Sequence, residues 1–183
     1  MYLPWQDEMI LTGPEIERQV SRGAIVIDPF DRGRLNPNSY NVRLAETIAV
    51  YDEYVLDSAR ENKVSVEKIS EEGRLLSRDR IYLGATIETI GSDQFVPIVR
   101  ARSSTARLGV FVHVTADLVD LGYIGQLTLQ LHAVQGARIY AGMEIGQVTF
   151  WTTQGDRTLY NGKYQGSIGP IPSKSFLDWK SDS

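Results

Sequence analysis

The chain has 183 residues, of which 42% are hydrophobic and 23% charged, and a formal net charge of −4. That length suits one self-sufficient core, and the composition is that of an ordinary globular domain. No apolar run approaches the ~20 residues that span a bilayer, and the negative charge argues against a long nucleic acid as partner, which selects broad basic surfaces.

Met1 to Glu8 carry neither the basic region nor the apolar stretch of a secretory signal, so the cytoplasm is the expected compartment. There are no cysteines and only two histidines, His113 and His132. Disulfides are therefore excluded, and so is the cysteine-held zinc site of one large class of nucleotide deaminases. Any deamination by this chain has to run without zinc, and no protein-held metal is expected. A few local cations suffice to hold one triphosphate.

In chain order, Thr12-Gly13-Pro14-Glu15 reads as a capping box, with the Thr12 hydroxyl accepting from the Glu15 amide and the Glu15 side chain reaching back. Ile16 and Val20 form one apolar stripe, and Gly23 is a stop signal, which predicts a short helix near 13–22. Short alternating or apolar runs then predict strands at 24–27, 40–44, 47–51, 80–83, 94–99, 110–114, 126–131 and 147–151, each bounded by Gly, Pro, Asn or Asp. Many short strands at close spacing predict a mainly-β fold, a distorted barrel or jelly roll, in one domain over 1–183. Residues 53–75 are charged and weakly periodic, and read as an exposed excursion with room for a helical turn.

Three segments carry candidate chemistry. Arg102-Ser103-Ser104-Thr105-Ala106-Arg107 sets two hydroxyls between two arginines, the residue types that grip phosphate oxygens; the plain alternative is a capped helix with solvated arginines. Asp120 lies between an apolar strand end and a Gly-rich hairpin, where a carboxylate orients water or, equally, satisfies turn amides. Tyr160 to Gly166 offers a hydroxyl, an ammonium and a flexible track, either a closing tail or a surface turn.

Taken together and in this order, these segments resemble the dCTP deaminases and their bifunctional dCTP deaminase/dUTPase relatives. Arg102 to Gly125 resembles the family signature. Pro37 to Leu44, Ile145 to Phe150 and Tyr160 to Gly169 resemble its other motifs, and Met9 to Thr12 its usual start, leaving 1–8 as an extension. The resemblance implies a dUTPase-type β-barrel, a homotrimer with sites between subunits, and Mg²⁺ bound through the substrate triphosphate. It further implies that Ser103 and Arg107 contact phosphates, Arg107 from a neighbouring subunit, with Arg102, Ser104, Gln147 and Gln165 among the substrate contacts. Ala116 would sit beside the pyrimidine and the catalytic water, Asp120 would activate water, and Tyr160 and Lys163 would grip phosphate from a tail (155–183) that closes over the site.

One departure bears on the reaction. Where the deaminases carry a proton-shuttling Glu, this chain reads Leu129-Gln130-Leu131. An amide exchanges no proton near neutral pH, and general acid/base help is worth ~10²–10⁴-fold, so deamination should be slow. The Gln130 amide can also donate to the C4 carbonyl of uracil, or simply preserve the shape of the site. Asn41 replaces a common Asp, and Ser167 a common Gln. The expected activity is dUTP diphosphatase, giving dUMP and pyrophosphate. The alternatives are dCTP deaminase, alone or bifunctional, and a nucleotide-binding relative without turnover.

Overall fold

The computed structural model describes residues 9–179. The N-terminal extension expected at 1–8 lies outside the described residues.

The first helix, α1 (Gly13–Ser21), forms where the apolar stripe predicts it, burying Ile16 completely and packing Val20 on the core. Gly23 ends it at φ 75°, with its N–H on the Val20 carbonyl at 3.0 Å. The capping box does not form. Thr12 stands at the N-cap, yet its side chain makes no cap bond. The Glu15 carboxylate turns forward instead, taking the Gln19 amide at 2.6 Å and Arg18 at 2.7 Å. A full ion pair with Arg18 outcompetes a backbone N–H for the carboxylate.

The strands follow as β1 (Val26–Asp28), β2 (Leu35–Asn36), β3 (Ser39–Arg43), β4 (Thr47–Tyr51), β5 (Val64–Lys68) and β6 (Arg74–Leu76). After them come β7 (Tyr82–Gly91), β8 (Phe95–Ala101), the one-turn helix α2 (Ser103–Arg107), β9 (Val110–Phe111), β10 (Ile124–Ala133), β11 (Ala137–Ile139) and β12 (Glu144–Thr152). Every predicted strand finds a counterpart, with shifted ends. The excursion departs from expectation: no helix forms in 53–75, and its second half pairs as β5 against β4, from Val64 opposite Tyr51 to Lys68 opposite Thr47. Its strand signal is masked because neither face of this edge strand is buried, so no apolar alternation marks it.

All ladders are antiparallel. One sheet runs β5-β4-β7-β10-β9, with β1 on the far half of β7; a second runs β2-β3-β12-β8; β6 and β11 form a small ribbon. The fold is mainly β as expected, and it takes the jelly-roll-like form of that expectation: two sheets around a shared core, with no ladder among the described residues closing into a ring. They meet at one margin, where Leu44 bridges Thr86 and the Ala45 N–H reaches the Ala85 carbonyl at 2.8 Å. Tyr40, Val42, Val148 and Phe150 from one sheet and Ile48, Ile90, Leu129 and Leu131 from the other form one buried cluster.

The register between β7 and β10 slips between Gln126, opposite Thr89, and Thr128, opposite Ala85. The extra β7 residues bulge inward, and polar groups fill the bend. Thr86 Oγ1 donates to the Glu88 carbonyl at 2.7 Å and accepts from the Leu127 N–H at 2.9 Å. Glu88, wholly buried, accepts from Arg43 Nε at 2.7 Å and from the Arg43 backbone N–H at 2.9 Å. This contact also raises the Arg43 guanidinium above its ordinary value. Truncating Glu88 to Ala strands that charge, and should lower unfolding free energy by about 3 kcal/mol, the low end for breaking a buried pair, since Arg43 keeps some water contact. Urea unfolding of the variant beside wild type reads it.

Candidate active site

The alternation of β10 creates the site. Leu127, Leu129 and Leu131 point into the core, so Gln126, Thr128 and Gln130 share the opposite, half-buried face. Over that face lies a cavity of about 590 Å³, with Leu83, Val114 and Leu127 among its apolar residues, large enough for a nucleotide-sized ligand. Ala116, Asp120 and Gln130 all line it, together with Tyr160 from the segment after β12.

Asp120 is exposed to the cavity and is the one carboxylate among its described lining residues. Asp117, three positions earlier, is turned away and pairs with Arg100 at 3.1 Å. Gln130 donates from Nε2 to the Thr128 carbonyl at 2.9 Å, while its Oε1 is buried without a hydrogen-bond partner. Tyr160 packs edge-on to Tyr123 and accepts the Tyr164 N–H at 3.1 Å. Burial raises the Tyr123 hydroxyl above its ordinary value, keeping it a neutral donor, on the Gln126 carbonyl at 2.8 Å.

The remaining predicted residues stand elsewhere. Ser103, Ser104 and Arg107 form exposed parts of α2, and Arg102 caps it while its guanidinium holds Glu144 at 2.7 Å. Glu144 also takes Arg34 at 2.8 Å and the Asn41 amide at 3.1 Å, so Asn41 serves this cluster rather than the cavity. Gln147 accepts from Ser39 at 2.9 Å. Lys163 is paired with Asp178, which raises its ammonium above the ordinary value. Gln165 clamps the hairpin, accepting from the Ile124 N–H at 2.9 Å and donating to the Gly122 carbonyl at 2.8 Å. Gln165→Ala should therefore loosen the 121–124 hairpin, visible as faster amide exchange at Ile124.

Sequence reasoning missed Glu144, the shared acceptor of two arginines, and several cavity residues: Tyr51, Thr128, Tyr123 and the tail segment Ile171, Pro172, Ser173. Thr128 was within reach, since it shares the parity of Gln130. Tyr51, at the end of β4, and the tail lie far apart in sequence, and only the topology brings them together. Ile171–Ser173, within the segment 155–183 expected to form a closing tail, stand on the cavity wall. Among the described residues no cluster of acidic or histidine side chains could cage a metal alone, and no helix is long and apolar enough to cross a membrane.

A mainly-β fold with a cavity of about 590 Å³ on one face of its larger sheet, set with one carboxylate and one amide among its described lining residues, defines a candidate small-molecule site. Residues 10–153 match the family described as DCD, dCTP deaminase-like, and the chain belongs to that family. A protein of Hathewaya histolytica named dCTP deaminase, dUMP-forming, is 43% identical over 173 residues, 94% of this chain and 100% of its own. One of the same name from Cytophaga hutchinsonii is 45% identical over 94% of this chain and 99% of its own. The crystal structure of 2'-deoxycytidine 5'-triphosphate deaminase from Agrobacterium tumefaciens superposes with a TM-score of 0.63 at 18% identity, over 79% of this chain and 48% of that one. That likeness supports the fold alone.

Proposed function

We propose that the chain is a dUMP-forming enzyme of the dCTP deaminase type, taking a pyrimidine deoxynucleoside triphosphate and releasing dUMP and pyrophosphate. The observation that carries this reading is the unpaired Asp120 carboxylate on the cavity wall, placed to take a proton from water as its oxygen bonds to the α-phosphorus and the bond to the β-phosphate oxygen breaks. The names of the relatives support dCTP as the starting nucleotide better than they support dUTP hydrolysis alone. From dCTP, a second water replaces the 4-amino group, which leaves as ammonia.

Gln130 favours a narrower reading in which dUTP is the faster substrate. Carboxamide chemistry provides no proton for the departing amine, and Asp120 is the sole cavity carboxylate among the described residues. Mg²⁺ suits this site as a partner of the substrate triphosphate, where the ion would neutralise phosphate charge.

The arginines and serines expected on the phosphates stand outside the cavity wall, so we read the working site as completed by a second copy in a homotrimer. Exposed Leu108, Phe111, Val114 and Leu118, beside α2 and the cavity, suit such an interface. Light scattering giving three chain masses supports this, and a monomer with full activity overturns it. A pyrophosphate-release assay tests the substrate class. Release from pyrimidine but not purine deoxynucleotides supports the proposal, and equal release from both defeats it.

A further inference from the structure

The half-buried face of β10 is a row of side-chain acceptors two residues apart, and the C-terminal tail runs along it. Gln126 Oε1 accepts the Gly169 N–H at 2.6 Å, and Thr128 Oγ1 accepts the Ile171 N–H at 3.2 Å. The next N–H in the alternation, that of Ser173, does not continue to Gln130. It leaves the strand for the Tyr51 hydroxyl at 3.0 Å, and Ser175 Oγ then donates to the Ser58 carbonyl at 2.9 Å. The tail thus serves the first two acceptors and turns off before the third. Gln130 Oε1, buried on the cavity wall, is the acceptor without a partner.

Thr128 sits at both contacts. Its hydroxyl oxygen seats the tail, and its carbonyl receives Gln130 Nε2 at 2.9 Å. That second bond fixes which end of the amide is anchored and which faces the ligand. A buried acceptor held in one orientation selects a donor on whatever enters, because an entering lone pair there would meet it unpaired.

We propose that Thr128 is a positioning residue that joins tail closure to base recognition, and that the Gln130 Oε1 it orients accepts the ring N–H of a 4-oxo pyrimidine. This rests on the reading that the cavity holds the base. A uracil ring carries a hydrogen on N3, whereas cytosine carries a lone pair there. The second hydrogen of the Gln130 amide is left to meet the 4-oxo group. The acceptor role differs from simple donation to the C4 carbonyl, and it ties selectivity to the tail seat.

The test compares Thr128→Val, which keeps the shape and the carbonyl but removes the hydroxyl, with Thr128→Ser, which restores it. Amide exchange at Ile171, read without any nucleotide, should quicken about tenfold in the Val variant, the factor for one hydrogen bond, and return to wild type in the Ser variant. The hydrolysis-resistant α,β-imido analogues of dUTP and dCTP read the second half. Wild type should bind the dUTP analogue at least about tenfold more tightly, and Thr128→Val should narrow that ratio, because a tail released from the Thr128 hydroxyl no longer holds in place the segment whose carbonyl receives Gln130 Nε2. KM for dUTP should rise more than kcat falls, a split that a merely structural loss would not produce. Unchanged exchange at Ile171 overturns the tail seat, and an unchanged analogue ratio in the Val variant overturns the link to base recognition. Failure of both analogues to bind wild type would instead reject the nucleotide reading, leaving the exchange result to stand.

Discussion

Asp120→Asn should reduce dUMP formation from dUTP by about 10²–10⁴-fold, the range that a lost general base imposes. The amide keeps the size of the side chain and its place on the cavity wall but cannot take a proton from water. No second carboxylate among the described residues lines the cavity, and Asp117 is turned to Arg100 at 3.1 Å, so no neighbour stands ready to substitute. Among the described residues Asp120 has no salt-bridge partner whose loss would unfold the chain, so the thermal midpoint should stay near that of wild type. Steady-state kinetics should show the loss in kcat with KM little changed, the pattern of an interaction made in the transition state. Retention of full kcat would remove Asp120 from the reaction.

The second large effect is a gain. Gln130→Glu should raise dCTP deamination by a factor within the ~10²–10⁴ range of general acid/base help. The amide nitrogen now donates to the Thr128 carbonyl at 2.9 Å. A Glu oxygen in its place faces that carbonyl best when protonated, and burial disfavours its charged form as well; both push its pKa up, towards the range of a useful acid. Ammonia release from dCTP measures the gain. The same change should weaken dUTP binding, because a proton-bearing oxygen repeats only part of the amide's pairing. A variant as inert to dCTP as wild type would show that the missing Glu is not what limits deamination here.

How much of this was legible in the sequence depends on the range of the signal. Strand positions follow from alternation and turn residues, and α1 from one apolar stripe with a Gly stop, so these were readable locally. The excursion was not, because β5 is an edge strand with neither face buried, and its partner Thr47–Tyr51 lies 13 or more residues upstream. Asp120 and Gln130 were singled out by type and motif, and the fold places them on one cavity. Arg102 and Gln147 were singled out in the same way, yet the structure sets them in a polar cluster around Glu144, outside that cavity. Nothing local distinguishes the two outcomes. Which residues meet depends on which strands neighbour β10 and on where the tail turns away from it.

Product analysis tests both dUMP formation and the preference for the 4-oxo base. Purified protein is incubated with Mg²⁺ and dUTP or dCTP separately, and the nucleotides are resolved by chromatography. dUMP and pyrophosphate should form from dUTP, with dCTP converted far more slowly. Rapid conversion of dCTP to dUMP at a rate matching dUTP would contradict the role given to Gln130, and no dUMP from either nucleotide would contradict the enzyme itself.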